Sequence, residues 1–206
     1  MEQAAPGPET GRREATALRI ELAALRLLAQ NGVDAVTVQH VAEATGISRR
    51  TFYRYFESIE DLCLAAPRRA LHRLARDIRA RPPGEPVAEA FLNASRAKQV
   101  SVDELTLQRL GMDIYLRDRD PWMRIMALLD ADTVEILSGA IAERLRLTGG
   151  DAAMAQLLAK VILCVIHEVP PAFDRTEGGD STIGDLRARM ASLAALLAPA
   201  TAIDTV

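Results

Sequence analysis

Apolar residues recur at helical spacing along most of this chain, and no segment alternates with the period of two that a half-buried strand requires. The first helical segment shows the pattern in its leucines, which lie three or four residues apart: Leu18, Leu22, Leu25 and Leu28. Asn31-Gly32 ends it, because glycine accepts the positive φ of a helix C-terminus. Alanine and leucine carry the apolar content and aromatic residues make up only 4%, which favours helix over sheet. The sequence therefore predicts an all-α fold.

Two short helices are predicted next, separated by a turn. Thr37 can cap the first, Gly46 interrupts it, and Ser48 can cap the second, which is predicted from Arg49 to Phe56. The inward face of the first consists of small apolar residues: Val38, Val41 and Ala42. Together with the preceding segment, this pattern predicts a three-helix, N-terminal helix-turn-helix domain.

The second helix of the pair has two chemically different faces. At about 100° per residue, Phe52 and Phe56 fall on one side and are expected in the core. Arg50 and Arg54 project to the other side, so they and their neighbours offer donors for phosphates and base edges. No acid occurs from Gly46 to Phe56, although the net charge of the whole chain is −3. An ordinary solvated cationic face is the alternative interpretation.

The segment from Leu18 to Leu62 resembles the TetR family of transcription regulators. The resemblance lies in four motifs: Val36-Thr37-Val38, Ile47-Ser48, Thr51-Phe52-Tyr53-Arg54-Tyr55-Phe56 and Asp61-Leu62. It implies a three-helix DNA-binding head and a C-terminal helical ligand-binding and dimerisation domain. It further implies a homodimer that binds double-stranded operator DNA and releases it when a small-molecule effector binds.

The resemblance also assigns roles to residues of the head. Thr37 would anchor a phosphate, and a group around the second short helix would engage the operator: Ser48, Arg49, Arg50, Thr51, Tyr53 and Tyr55. Arg54 joins this group from its place on the helical wheel. Two positions depart from the family pattern, since Arg50 stands where glycine is common and Ile59 where a lysine often contacts phosphate.

The predicted organisation has five segments. They are a disordered tail (1–11), the DNA-binding head (12–57), a connecting helix (58–81), the ligand-binding and dimerisation domain (82–198) and a second tail (199–206). Ser58 and Asp61 form a capping box for the connecting helix, in which Pro67 predicts a kink or a break. Helix starts in the larger domain are expected at Glu85-Pro86, Ser101 with Glu104, Asp120-Pro121, Asp151, and Thr182 with Asp185, and one long helix is expected from Trp122 to Leu147.

The last two predicted helices are candidates for a dimer interface. The segment from Ala152 to Val169 is apolar on nearly every side and is expected to be buried all round. The final helix has apolar residues at coiled-coil-like spacing, from Ile183 onward. The predicted interface residues are Leu157, Val161, Val165, Leu186, Met190, Leu193 and Leu197, and with a twofold mate they would form a four-helix bundle.

Large apolar side chains in the C-terminal domain are candidates for an effector pocket. They are Phe91, Met112, Tyr115, Trp122, Met123 and Met126. Such adaptable side chains between helices would suit a small, largely apolar effector. Packing in an ordinary core is the alternative interpretation.

Catalysis, cofactors and metals find no support in the sequence. The three histidines are scattered, and Cys63 and Cys164 are expected to be buried thiols rather than metal ligands. The longest uncharged apolar stretch, Met190 to Ile203, is too short for a membrane helix and contains Pro199, so a soluble cytoplasmic protein is expected. The alternative function is a helical small-molecule-binding or interaction protein with a vestigial head, since the first 56 residues contain seven arginines against six acids.

Overall fold

The computed structural model describes residues 8–96, 101–147, 152–168 and 188. Over these ranges the secondary structure is helical, without strands, and the all-α prediction is confirmed. The helices are α1 (Pro8–Asn31), α2 (Val38–Thr45), α3 (Arg49–Phe52), α4 (Ile59–Ala80), α5 (Val87–Arg96), α6 (Val102–Arg117), α7 (Arg119–Ala127), α8 (Leu129–Leu145) and α9 (Ala152–Glu168). The final predicted helix, with Ile183, Leu186, Met190, Leu193 and Leu197, and the tail 199–206 lie outside the described residues.

Two helices extend further than the sequence predicts. Helix α1 begins at Pro8, inside the segment expected as a tail, because proline fits the first turn of a helix and Glu9 is favourable there. Helix α4 continues through Pro67 without the possible break. Buried leucines on both sides of the proline, Leu64 and Leu71, anchor the helix, and their burial outweighs the lost hydrogen bond of about 3 kcal/mol.

The long helix expected from Trp122 to Leu147 is in fact two helices. α7 ends at Ala127 and α8 begins at Leu129, although neither proline nor glycine stands between them. Apolar residues before and after this division pack into different hydrophobic cores. Trp122 and Ile125 belong to one cluster, whereas Leu137 and Ile141 belong to another.

The chain divides into two compact units, Met1–Ala70 with Gln99–Asp130 and Leu71–Lys98 with Ala131–Val206. The core of the first unit draws buried residues from α1 to α4 and from α6 and α7, among them Ile20, Leu28, Phe52, Leu62, Leu107, Ile114 and Trp122. The core of the second unit draws on α4, α5, α8 and α9, among them Ile78, Phe91, Leu137, Ile141 and Ile162.

Helix α9 buries one face only within the chain. Ala155, Ala159 and Ile162 are buried, while Met154 and Leu157 are each more than half exposed. The expectation of burial all round is therefore wrong for a single chain, and so is the expectation of a buried Cys164, which is exposed. The described part of α9 presents apolar side chains to solvent.

A group of charged residues fastens the connection between α4 and α5 in the second unit. The Arg144 guanidinium donates to the backbone carbonyls of Arg81, Pro82 and Glu85. Arg81 donates twice to the Glu85 carboxylate, both at 2.8 Å, and Asn93 donates to it at 2.6 Å. The hydrogen bond with Arg81 is the main reason why the pKa of Glu85 falls to about 2.

Candidate nucleic-acid interface

Thr37 begins α2 as predicted. Its Oγ1 accepts a hydrogen bond from the backbone N–H of His40 at 3.4 Å, and the His40 ring nitrogen Nδ1 accepts one from the Thr37 N–H at 3.3 Å. His40 was not predicted as the reciprocal partner, although its place three residues after the cap could have identified it. Thr37 is exposed, which leaves its hydroxyl accessible to a phosphate.

The turn between α2 and α3 depends on Gly46. This residue has φ +67°, and its N–H donates to the carbonyls of Ala42 and Glu43. The next amide, Ile47 N–H, also reaches the Ala42 carbonyl, at 3.0 Å. These bonds satisfy the last carbonyls of α2 and reverse the chain so that Ser48 can start α3.

Helix α3 is shorter than predicted. The α-helix covers Arg49–Phe52, and residues 53–55 continue as a tighter turn in which Arg54 and Tyr55 donate to carbonyls three residues back. The predicted end at Phe56 is wrong because these shorter-range bonds interrupt the α-helical pattern, although the Phe56 N–H again donates four residues back, to the Phe52 carbonyl at 3.1 Å. Ser48 caps the helix as predicted, since its Oγ accepts from the Thr51 N–H at 3.0 Å.

Two phenyl rings hold this element against the core. Phe52 is completely buried and Phe56 is 6% exposed, and their ring centroids lie 5.8 Å apart. The prediction that both belong to the core is confirmed. Tyr53 packs edge-on against Phe52 at 5.6 Å yet is 50% exposed, so half of the residue remains accessible to solvent.

The opposite side of the element is cationic. Arg49, Arg50 and Arg54 are all exposed, while Thr51 and Tyr55 are half-buried. The Ser48 and Thr51 hydroxyls lie 2.9 Å apart and share a hydrogen bond, and Tyr55 packs against the core of the first unit. Three guanidiniums and a phenol thus offer donors to a ligand, which suits a polyanion.

Capping hydrogen bonds fix the start of α4, directly after α3 and its turn. Ser58 Oγ accepts from the Asp61 N–H, and the Asp61 carboxylate accepts from the Glu57 N–H, both at 3.0 Å. Arg68 donates to the same carboxylate at 2.6 Å. The predicted capping residues are therefore in place, with the acid reaching one residue further back than a standard capping box.

Helices α6 and α7 contribute to the same core as the helix-turn-helix. Leu107, Ile114, Trp122 and Ile125 are buried in a cluster with Ile20, Leu28 and Phe52. The sequence predicted α6 and α7 in a separate domain, because no local pattern indicates this long-range packing. We call residues 48–56 the recognition element, and α6 and α7 belong to the same hydrophobic core as its buried residues.

Three of the six residues predicted for an effector pocket, Tyr115, Trp122 and Met126, pack in one cluster. Phe91 is buried in the core of the second unit, whereas Trp122, Tyr115 and Met126 belong to the core of the first. Met112 is half-buried and Met123 is 43% exposed.

Metal sites, membrane-spanning helices and reactive thiols are the other features that bear on function within the described ranges. No group of three or more histidines, cysteines or acids there could hold a metal ion. No helix of the described chain combines the length and apolar character needed to cross a bilayer. Burial raises the pKa of the Cys63 thiol to about 12, which keeps this cysteine protonated and unreactive.

The described residues form a capped helix, a glycine turn and a short cationic helix that two buried phenyl rings hold in place. In an all-α fold, this arrangement is typical of a helix-turn-helix protein. The family model of the tetR family of bacterial regulatory proteins matches residues 21–66. The resemblance to TetR-family transcriptional regulators is thereby confirmed for the N-terminal head.

Relatives resemble this chain over about a third of its length, and solved structures resemble its fold. Two uncharacterized HTH-type transcriptional regulators from two strains of Mycobacterium tuberculosis are each 43% identical over 67 residues, 32% of this chain and 33% of theirs. The match spans about a third of the length of these relatives. A TetR-family regulator of Streptomyces coelicolor A3 has TM-score 0.50 at 16% identity, covering 93% of this chain and 99% of its own. A candidate transcriptional regulator of Pseudomonas aeruginosa PAO1 has TM-score 0.52 at 20% identity, covering 93% and 94%.

Proposed function

We propose that this protein is a ligand-responsive repressor that binds a pseudo-palindromic operator as a homodimer, in the cytoplasm, and releases it when a small, largely apolar effector binds. The observation that carries the proposal is the exposed cationic side of residues 49–54. Arg49, Arg50 and Arg54 face solvent there, on a turn that the buried rings of Phe52 and Phe56 hold in place.

DNA contact would divide between backbone and base edges. Thr37 at the start of α2 and Arg49 at the start of α3 are exposed and suited to phosphates. Arg50, Tyr53 and Arg54 would reach into the major groove, where arginine pairs with guanine and tyrosine offers a hydroxyl. Ser48 and Thr51 would contribute their shared hydroxyl pair, and Tyr55 its partly covered phenol.

Dimerisation is part of the proposal because a pseudo-palindromic operator has twofold symmetry. Two recognition elements on a twofold dimer would bind half-sites about 34 Å apart, one turn of the duplex. The exposed apolar face of α9, with Met154 and Leu157, offers a surface for the second copy. Val161 is half-buried on this helix. The remainder of the proposed interface comes from the sequence pattern alone: Val165, Leu186, Met190, Leu193 and Leu197.

Effector release would follow from differential binding. A ligand that binds better to a conformation whose recognition elements do not fit successive grooves shifts the dimer away from DNA. The class of effector rests on the apolar character of the C-terminal helices, such as α9, which consists largely of alanine, leucine, isoleucine and valine. Release would be observed as weaker operator binding when an apolar ligand is added.

The test is binding of the full-length protein to a labelled duplex of the DNA upstream of its own gene, with a scrambled duplex of equal length as the control. We expect preference for the upstream duplex and an affinity that falls steeply with salt, with a slope of about −0.9 per phosphate contact. Equal and weak binding to both duplexes would contradict the proposal and favour a ligand-binding protein with a vestigial head.

A further inference from the structure

A carboxylate from the α6–α7 junction holds the turn that leads into α2. Asp118 Oδ2 accepts a hydrogen bond from the Val33 backbone N–H at 2.8 Å, across 85 residues of sequence. Both residues belong to the first unit. Asp118 is itself fixed between two helices, since its N–H donates to the Ile114 carbonyl at 2.8 Å and its carbonyl accepts from the Trp122 N–H at 3.0 Å.

Asp118 gives up its usual local role to make this contact. It occupies the N-cap position of α7, where aspartate normally accepts hydrogen bonds from the first amides of its own helix. Its side chain makes no such bond in this structure. The carboxylate is directed to the α1–α2 turn instead.

The turn is shaped around this carboxylate. Gly32 has φ +96°, a conformation that disfavours any side chain, and a Cβ built there would lie 2.6 Å from Asp118 Oδ2. Glycine therefore serves two purposes, the left-handed backbone and the space for the acid. Val33 follows directly and presents its N–H to the carboxylate.

The hydrogen bond between Asp118 and Val33, which we call the tie, lies close in sequence to the proposed DNA contacts. Thr37, the N-cap of α2, lies four residues after Val33, and the intervening Val36 is buried in the core. Holding the Val33 amide therefore fixes where α2 begins. We propose that Asp118 is a positioning residue for operator binding, which acts by holding the α1–α2 turn so that Thr37 and α2 meet the DNA backbone correctly. This inference rests on the proposed function.

The direction of the change in DNA affinity distinguishes this positioning role from a purely electrostatic effect of the Asp118 charge. Removing an acid from a DNA-binding protein should strengthen its attraction to a polyanion. Loss of the tie should weaken binding instead, because the phosphate-contacting turn becomes less ordered. The two effects have opposite signs, so the direction of change identifies the mechanism.

Three variants of Asp118 and one control give a sharp test. Asp118→Ala removes the acceptor, Asp118→Ser restores a cap for α7 but is too short to reach Val33, and Asp118→Asn keeps an acceptor oxygen. Asp120→Ala removes an exposed acid two residues away and serves as the charge-matched control. Affinity is measured by fluorescence anisotropy with the upstream duplex, and folding by circular dichroism.

We expect Asp118→Ala and Asp118→Ser to bind about tenfold more weakly, Asp118→Asn to bind within about twofold of the native protein, and Asp120→Ala to bind equally or more tightly. Asp118→Ser guards against misfolding, since it keeps the helix start. Affinity that is unchanged or increased in Asp118→Ser would overturn the inference.

Hydrogen exchange of the DNA-free protein provides a readout that does not depend on the operator. The Val33 amide should exchange faster in Asp118→Ser and at the native rate in Asp120→Ala, while buried amides of α1 keep their protection. Equal exchange rates of the Val33 amide in both variants would contradict the inference that Asp118 holds this amide. Failure of the native protein to prefer the upstream duplex, with the Val33 difference intact, would instead count against the proposed function and against any operator role for the tie.

Discussion

Both terminal nitrogens of the Arg69 guanidinium donate to the carboxylate of Glu21, at 2.8 and 2.6 Å. The carboxylate is almost completely buried, whereas the arginine side chain is 46% exposed. The hydrogen bond with Glu21 is the largest cause of the raised pKa of Arg69. The pair joins α1 to α4 within the first unit, and it places a full negative charge where water cannot solvate it.

Arg69→Met should therefore destabilise the protein. It leaves a buried carboxylate without its partner, and we expect the free energy of unfolding to fall by about 2–3 kcal/mol, less than for a fully buried pair because the arginine is half exposed. Urea unfolding measures the change, and Arg26→Met, at an exposed arginine of α1, is the control. The double variant Glu21→Leu with Arg69→Met should recover most of the loss. A double variant no more stable than Arg69→Met would contradict this account.

Arg50→Ala and Tyr53→Ala should each abolish operator retardation in a gel. Each side chain is exposed on the recognition element, and loss of one good base contact costs about 1–3 kcal/mol. Circular dichroism should stay helical, because the buried Phe52 and Phe56 are untouched. Arg109→Ala, which removes an exposed arginine of α6, should leave retardation as it was. Native retardation by both variants would remove the assignment of the DNA-contacting face.

Leu157→Glu should convert the proposed homodimer into a monomer. Leu157 is 55% exposed on the apolar face of α9, and a charge at the centre of a twofold interface meets its own copy. Sedimentation velocity measures the oligomeric state. Gln156→Glu adds the same charge at a neighbouring exposed position of α9 and should stay dimeric. If Leu157→Glu sedimented as the native species does, another surface would have to be responsible.

Glu85→Gln should remove part of the acid sensitivity of the second unit. The hydrogen bond with Arg81 lowers the pKa of Glu85 from an ordinary 4.5 to about 2. A depressed carboxyl pKa adds stability that is fully present above the ordinary value and is lost as the pH falls towards the folded one. Glu85→Gln should thus be less stable than the native protein near neutral pH, and the difference should shrink between about pH 5 and pH 2. Urea midpoints measured across this range test it, with the exposed Glu135→Gln as the control; a constant difference would exclude the mechanism.

The sequence predicted the head well where the determinants are local. Thr37 and Ser48 were recognisable as caps because each stands just before an apolar helical segment, and Phe52 and Phe56 because they share one helical face. The end of α3 was missed, since the change from four-residue to three-residue hydrogen bonds leaves no mark in residue type. The division between α7 and α8 was missed for a different reason, because it reflects which core each apolar residue joins rather than a helix-breaking residue at Leu128.

Trp122 and Phe52 lie in the same hydrophobic core, which limits where the N-terminal head can be excised from the chain. Similarity to the family model stops at residue 66, but the apolar interior of the head is completed only by Leu107, Ile114, Trp122 and Ile125. A head excised at the similarity boundary would present the vacated surface of α1 to water and would be prone to aggregate. Chimaeras that exchange DNA specificity between regulators of this kind would therefore have to carry α6 and α7 along with the recognition element.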